Sequence, residues 1–191
     1  PVATGVVPVC LGQATRMMEY LVDSTKDYSA EIELGADTDT YDAMGQTTRV
    51  RDPSGVTLSD IGLALESFKG SIQQVPPMYS ALKRQGKRLY DLARAGVEVD
   101  RQPRPVEVFR IQLLDWSPPA ITLDVTCGRG FYMRSLAHDI GQVLGCGAHL
   151  KALRRTRSGA FTISDALTLT DAEEKLRNGS WADAVYPPDV V

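Results

Sequence analysis

Apolar side chains occupy every second position from Tyr28 to Leu34, and serine and glutamate residues stand between them. This two-residue period is that of a strand with one buried face. The same alternation runs from Ile121 to Cys127, and another apolar segment, residues 106–114, precedes it. Residues 115–119 read Asp-Trp-Ser-Pro-Pro, which is typical of a turn. We therefore predict that the two segments form an antiparallel hairpin.

The longest predicted helix extends from Phe131 to Leu144. Its apolar residues recur every three or four positions, which is the spacing of one helical face. They are Tyr132, Leu136, Ile140 and Val143. A second helix is predicted over residues 57–68, because Thr57 and Asp60 stand at the spacing of a capping box.

Shorter elements are predicted between and after these segments. Short helices are expected over residues 13–21 and 89–95, and a last one is expected to begin at 170–173, where threonine and glutamate have capping-box spacing. Residues 75–83 contain successive prolines, which exclude a helix and predict an extended chain. A turn is predicted over residues 84–87.

The order of these elements predicts the fold class. Strands and helices are interspersed without a regular βαβ repeat, which favours an α+β fold with a mixed, largely antiparallel sheet flanked by helices. The chain has 191 residues, of which 43% are hydrophobic, enough to bury one sizeable core. We therefore predict a single domain over residues 1–191.

The cysteines and the hydropathy pattern bear on localisation. Cys10, Cys127 and Cys146 are far apart in sequence, which argues against a disulfide framework and against a structural zinc site. No run of 18 or more apolar residues occurs, so a membrane span is not expected. A reducing cytoplasm fits this composition best.

Charge is unevenly distributed along the chain, although the net charge is only -3. Between Lys83 and Arg110 there are eight basic residues and four acidic ones, and between Arg129 and Arg157 there are six basic residues and one acidic one. Between Glu19 and Asp60 the balance is reversed, with ten acidic residues and three basic ones. The two basic segments would suit a polyanionic partner such as nucleic acid, or they form ordinary solvated faces.

No metal or other cofactor is predicted. The polar segment 37–45 contains three aspartates, two of them at alternate positions as in a calcium loop, but the bidentate glutamate expected near its twelfth position is absent. Cys146 and His149 lie three residues apart, but they lack two further ligands for zinc. We interpret His138 and His149 as structural.

A distinctive motif joins the second predicted strand to the longest helix. Residues 127–134 read Cys-Gly-Arg-Gly-Phe-Tyr-Met-Arg, and Ser-Leu-Ala-His-Asp-Ile-Gly follows up to residue 141. Arg134 therefore lies where the helix opens, and a buried arginine there needs a partner. From position alone, a structural arginine that bridges to Asp139 or to the sheet edge is the favoured interpretation.

The motif at 127–141 resembles the arginine-bearing motif of pseudouridine synthases, and the whole chain resembles the TruB family, which isomerises a uridine in the T-loop of tRNA. Further matching segments are Pro-Val-Ala-Thr-Gly-Val at residues 1–6, Lys-Asp-Tyr-Ser-Ala at 26–30 and Leu-Arg-Arg-Thr-Arg-Ser-Gly at 153–159. The resemblance implies a pseudouridine synthase fold, a tRNA T-arm as partner, uridine 55 as target, and no cofactor.

The chain departs from the family pattern at both ends. In the family, the nucleophilic aspartate stands directly before Pro-x-Ala-Thr-Gly-Val, and a small PUA-like RNA-binding domain follows the catalytic domain. Residues 1–191 include neither of them. We expect this chain alone to be inactive, and either monomeric or paired with an N-terminal segment that carries the aspartate.

The resemblance also assigns roles to individual residues. Arg134 would pair with the nucleophilic aspartate and keep it ionised, and Tyr28 would stack on the flipped uracil and help to remove the C5 proton. Leu153 would close the apolar side of the base pocket. The expected RNA contacts are Tyr79, Lys83, Arg154, Arg155 and Arg157.

Three classes of function therefore remain open. The leading hypothesis is an RNA-modifying isomerase, and a tRNA-binding or tRNA-folding module without chemistry is the second. A soluble protein that binds an acidic partner is the third. Arg134 and Tyr28 favour the first, because a pure binder has no use for a buried arginine that is directed at a carboxylate.

Overall fold

A seven-stranded sheet forms the centre of the structure, a computed structural model that describes residues 3–84, 86–97 and 99–187. In chain order the strands are β1 (Ala3–Gly5), β2 (Lys26–Leu34), β3 (Ala36–Thr38), β4 (Thr47–Val50), β5 (Gly70–Gln74), β6 (Lys83–Arg84), β7 (Lys87–Arg88), β8 (Arg104–Ser117), β9 (Ala120–Cys127), β10 (Ala148–Ser158) and β11 (Phe161–Thr162). The main sheet has the order β1-β10-β2-β9-β8-β5, and β11 pairs with β10. Only the pairing of β1 with β10 is parallel among these strands, so the prediction of a largely antiparallel sheet is confirmed.

Five α-helices accompany the sheet in the described part of the chain. They are α1 (Met18–Asp23), α2 (Leu58–Glu66), α3 (Leu89–Arg94), α4 (Met133–Val143) and α5 (Leu169–Asn178). Two 3₁₀ turns cover Gly12–Met17 and Trp181–Ala184. Within the residues described, none of the helices has the length and apolar character that crossing a bilayer requires.

The core lies between one face of the sheet and the helices α2 and α4. Ile32, Ile121 and Leu123 from the sheet are fully buried against Leu136 and Ile140 of α4. The even-numbered apolar residues of β2 and the odd-numbered apolar residues of β9 face the same layer. The alternation predicted for both strands is thus confirmed.

The opposite face of the sheet is polar and carries ion pairs. Arg110 on β8 pairs with Asp124 on β9 at 2.6 Å, and Lys151 on β10 lies 2.9 Å from Glu31 on β2. These groups are partly exposed, so each pair contributes little to stability. They do show that this face does not form the core.

The helix predictions were partly right. Thr57 and Asp60 form the predicted capping box of α2, since each side chain accepts a hydrogen bond from the other's backbone N–H. The cap predicted at 170–173 was wrong, because Thr168 caps α5 by accepting from the Asp171 N–H. That cap begins the helix two residues earlier than expected.

Helix α4 also differs from its prediction at both ends. Tyr132 has extended backbone and stands before the first helical residue, and Val143 is 58% exposed instead of buried. The buried face is completed by Met133 and Ala137. The apolar spacing therefore identified the helix but not all of the residues that face the core.

β10, a long strand that lies between β1 and β2, was not predicted from the sequence. Two register shifts interrupt it, one between Leu150 and Ala152 and another between Arg155 and Arg157. A bulge changes which side chains face the core, so the two-residue period is lost. Four basic residues in this stretch hide the pattern further.

Two other expectations involve residues outside the described ranges. The turn predicted over residues 84–87 joins β6 to β7, but Gln85 is not among the described residues. Pro1 and Val2, which begin the first family-like motif, also lie outside them. Ala3–Gly5 from that motif forms β1.

Candidate active site

Arg134 is the second residue of α4 and is held by two acceptors from distant parts of the chain. Its Nη1 lies 3.4 Å from Oδ2 of Asp42, and its Nη2 donates to the Tyr79 carbonyl at 2.7 Å. The side chain is 26% exposed, and that of Asp42 is 12% exposed. Its carboxylate partner is thus Asp42 rather than Asp139.

Asp139 has a different environment on the same helix. Burial raises the pKa of its carboxyl group to about 6. A neighbouring guanidinium would favour the charged form and lower this pKa. The direction of the shift is therefore that of a carboxyl group without a close cation, which agrees with the pairing of Arg134 elsewhere.

Asp42 is fixed by its own loop. Its Oδ1 accepts hydrogen bonds from Thr40 Oγ1 at 2.7 Å and from the Met44 N–H at 3.0 Å. Its backbone carbonyl accepts from Thr38 Oγ1 at 2.8 Å. Oδ2 is left to face Arg134. The carboxylate therefore has a set orientation before any substrate is bound.

The loop is also attached to the central strand β10. The Ala43 N–H donates to the Leu150 carbonyl at 2.9 Å, and the Leu150 N–H donates to the Tyr41 carbonyl at 3.0 Å. Asp42 lies between these two hydrogen bonds. This loop, residues 37–45, which we call the acidic loop, is consequently a support for Arg134. The described residues contain no cluster suited to a metal ion.

The start of α4 is held from its other side by the end of β5 and the residue that follows it. Gln74 is buried, and its amide accepts from the Tyr132 N–H at 2.8 Å and donates to the Tyr132 carbonyl at 3.1 Å. Ser135 Oγ donates to the Val75 carbonyl at 2.7 Å. These hydrogen bonds fix the backbone that carries Arg134.

Tyr28 lies near the beginning of β2, at the end of the sheet from which β9 leads into α4. It is paired with Val125 of β9 and with Arg155 of β10, and its ring packs partly against the core. Burial raises the pKa of the phenol, and nearby Cys127 adds to this, whereas Arg155 opposes it. The phenol is therefore protonated at neutral pH in the free protein.

Leu153 and Arg155 share the face of β10 on which Tyr28 lies. Leu153 is opposite Ala30 and packs against the edge of the core, so its placement is compatible with a pocket wall. Arg155 Nε donates to the Val6 carbonyl at 2.7 Å. Arg155 is thus partly engaged with the N-terminal segment and lies beside Tyr28.

The remaining predicted RNA contacts are dispersed. Arg154 is exposed, but successive residues on a strand point to opposite faces, so it lies on the far side from Tyr28. Lys83 is exposed on β6, and Tyr79 reaches the site through its carbonyl. Arg157 donates to Asp27, Thr25 and Gly159. Its expected role as a phosphate donor is not supported by these internal contacts.

Sequence reasoning missed Asp42 and Gln74. A signal for Asp42 was present, because Arg134 needed an anionic partner and the polar segment 37–45 offered unexplained aspartates. Gln74 gave no signal, since its importance follows from its buried contact with residue 132. Both pairings join residues that are far apart in the chain, 92 positions for Arg134 and Asp42.

Arg134 retains hydrogen-bond donors for a second anion beside an aromatic and an apolar surface. A guanidinium has five N–H donors, and two of them are used in the contacts with Asp42 and Tyr79. The donors that remain suit a second carboxylate, which a planar fork can hold in a fixed orientation. Tyr28 and Leu153 supply an aromatic and an apolar surface at the same end of the sheet.

Two family models match adjoining parts of the chain. Residues 1–133 match the TruB family pseudouridylate synthase N-terminal domain, and residues 134–186 match the tRNA pseudouridylate synthase B C-terminal domain. The boundary lies within α4, directly before Arg134.

Bacterial proteins named tRNA pseudouridine synthase B are similar to the chain. The protein from Dehalococcoides mccartyi is 47% identical over 189 residues, which are 99% of this chain and 63% of the relative. Those from Symbiobacterium thermophilum and Pseudomonas aeruginosa are 52% and 50% identical, over 90% and 91% of this chain and 58% and 57% of each relative. The chain thus spans about three fifths of the length of these curated relatives.

Solved structures support the same fold. A chain of a Cbf5-Nop10-Gar1 complex has a TM-score of 0.69 and 31% identity, covering 96% of this chain and 45% of that one. A chain of an H/ACA RNP bound to a substrate RNA containing 2'-deoxyuridine has a TM-score of 0.65 and 27% identity, covering 97% and 44%.

We predict that Asp42→Asn destabilises the protein, because it removes the charge that compensates the partly buried Arg134. Loss of one partner of such a pair is expected to cost about 1–3 kcal/mol after allowance for partial exposure. Denaturation with urea would measure the change in the free energy of unfolding.

Asp39→Asn is the matched control, because exposed Asp39 accepts a hydrogen bond from the Gln46 N–H in the same loop. Its cost should stay within about 0.5 kcal/mol. Equal losses in the two variants would show that the charge of Asp42 has no special role.

Proposed function

The chain belongs to the TruB family of pseudouridylate synthases, and we propose that the protein to which it belongs isomerises uridine 55 in the T-loop of tRNA to pseudouridine. The observation that carries this proposal is the placement of Arg134, which is fixed by Asp42 and Tyr79 and retains donors for a further anion. Family membership supplies the reaction class.

The reaction needs a nucleophile, a site for the base and no cofactor. Isomerisation breaks the bond from uracil N1 to C1′, turns the base and forms a bond from C5 to C1′. C5 loses its proton and N1 gains one, so the composition is unchanged. A carboxylate is a suitable nucleophile for this chemistry. It must be ionised and must stay positioned while the base moves.

We assign Arg134 the task of holding that carboxylate. A guanidinium beside a carboxylate favours its ionised form, and two parallel hydrogen bonds fix its plane. Asp42 compensates the charge of Arg134 and orients its planar fork. Asp42 thus prepares Arg134 to hold the nucleophilic carboxylate.

The nucleophile itself is proposed to be an aspartate directly before Pro1, as in the family motif. β1 pairs in parallel with β10, and Ala3 lies opposite the proposed pocket residue Leu153. Three residues span at most about 11 Å, so a residue directly before Pro1 stays near this end of the site.

Tyr28 and Leu153 are proposed to enclose the extruded uracil. An aromatic ring can stack on any base, and an apolar side chain excludes water from the other side. The Tyr28 phenol is protonated in the free protein, so it must give up its own proton before it can accept the C5 proton. Arg155 favours that loss because a cation stabilises the phenolate.

The tRNA T-arm is the proposed polyanionic partner. Lys83 is exposed at the start of the basic segment 83–110, and Tyr79, four residues before it, accepts a hydrogen bond from Arg134 through its carbonyl. Contacts from Lys83 and its neighbours would position the phosphates, whereas base recognition would occur at Tyr28. Arg154 would reach RNA only where RNA extends around the sheet.

We predict that Arg134→Lys abolishes most turnover in a chain extended at its N-terminus by a segment ending in Gly-Thr-Leu-Asp. Lysine keeps the charge but loses the planar fork, so the aspartate is misplaced. The single-turnover rate at saturating T-arm RNA should fall by a factor on the order of 10²–10³, with RNA affinity nearly unchanged.

Two controls define this experiment. Arg110→Lys, on the polar face of the sheet and paired with Asp124, should leave turnover at saturating RNA unaffected. Residues 1–191 without the extension should bind the RNA and form no pseudouridine. Normal turnover of Arg134→Lys with loss of RNA binding would instead identify Arg134 as a phosphate contact. Binding without turnover in the extended wild type would favour the silent tRNA-binding module.

We also predict that Tyr28→Phe separates base entry from proton removal. Phenylalanine keeps the stacking surface and lacks the hydroxyl, so the glycosidic bond should break while formation of pseudouridine stalls. Rapid-quench analysis of T-arm RNA would detect the intermediate state. Tyr20→Phe on exposed α1 is the control, and equal product yields from both variants would exclude a role for the Tyr28 hydroxyl.

A further inference from the structure

The acidic loop and helix α4 meet along a series of three contacts, which we call the α4 seam. Arg134 faces Asp42, His138 stacks on Tyr41, and Gln142 Nε2 donates to Asp37 Oδ1 at 2.9 Å. The three helical residues are spaced by four positions, so they lie on one face of α4 in successive turns. The seam therefore connects the site arginine to the body of the helix.

The middle contact is a parallel stack of two rings. The centroids of Tyr41 and His138 are 4.0 Å apart, and the planes differ by 12°. Tyr41 directly precedes Asp42, so the ring contact acts on the residue next to the carboxylate.

The backbone of Tyr41 explains why this contact is needed. Its φ is 63°, in the left-handed region, which is unfavourable for a bulky residue. A conformation of this kind persists only where the surroundings hold it. The hydrogen bond from the Leu150 N–H holds the Tyr41 carbonyl, and His138 holds its ring.

The contact of His138 with Tyr41 is made by its ring. Its Nδ1 is buried and makes no hydrogen bond with the described residues, although Asp37 Oδ1 lies 3.5 Å away. Burial lowers the pKa of His138, Asp37 opposes this, and Arg101 and Arg51 lower it further. The imidazole is consequently neutral at pH 7, which suits stacking.

We propose that His138 is a positioning residue for the isomerisation: by stacking on Tyr41 it keeps the Asp42 carboxylate against Arg134. This proposal rests on the proposed function for its catalytic consequence. The residue does not touch the substrate in this scheme. It acts through the left-handed turn at Tyr41 and the carboxylate that follows it.

The first test separates rate from binding in the N-terminally extended chain. His138→Ala should lower the single-turnover rate on T-arm RNA by a factor on the order of 10 to 100, because small displacements of a site group have effects of this size. RNA affinity should stay within about twofold, because no phosphate contact is removed. Val143→Ala, on the exposed side of α4, should change neither value.

The second variant, His138→Phe, distinguishes stacking from other roles. Phenylalanine keeps a ring on Tyr41 and has no nitrogen, so it should restore the rate to within a few-fold of the wild type. A rate as low as that of His138→Ala would show that the imidazole nitrogens matter, and it would overturn the proposal.

A stability measurement on residues 1–191 tests the coupling without catalysis. If His138 positions Asp42, Asp42→Asn should raise the unfolding equilibrium constant by a smaller factor in the His138→Ala background than in the wild type, with the two factors differing at least about fivefold. Independent effects would contradict the proposal even if the extended enzyme were active. If the extended wild type made no pseudouridine but the coupling were present, only the proposed function would fail.

Discussion

A positive charge at the beginning of a helix is the constraint on which the candidate site depends. Arg134 is the second residue of α4, where the helix dipole is positive and therefore unfavourable for a cation. Only about a quarter of its side chain is exposed, so water compensates little of this cost. The Asp42 carboxylate and the Tyr79 carbonyl provide the compensation.

The sheet supplies the geometry for that compensation. β9 leads directly into the turn before α4, while β10 holds the acidic loop through Leu150 and carries Leu153, the proposed pocket residue. Tyr28 on β2 lies between these two strands. An arginine, its carboxylate and an aromatic surface from three separate segments are thus arranged by the pairing of three adjacent strands.

Much of this arrangement could be predicted from local patterns. The alternation in β2 and β9, the hairpin and the capping box of α2 are local signals, and each is present in the structure. β10 could not be predicted from alternation, because its two bulges change the face of its side chains. Its neighbours in the sheet, rather than its own period, determine which residues are buried.

The candidate site was predictable only in part for the same reason. The motif at 127–141 and the family resemblance led to Arg134 and Tyr28, whose roles remain predictions. The partner of Arg134 was not found, because a contact between residues 42 and 134 depends on how the loop crosses β10. The adjacent arginines 154 and 155 likewise differ only through strand geometry, which places them on opposite faces of the sheet.

The most direct test of the compensating role of Asp42 is a double-mutant cycle between Asp42→Asn and Arg134→Gln, measured by urea denaturation of residues 1–191. The two groups are in contact, so we expect the double variant to lose less free energy of unfolding than the two single variants together, by about 1–3 kcal/mol. Additivity within about 0.5 kcal/mol would contradict the view that this carboxylate compensates the arginine.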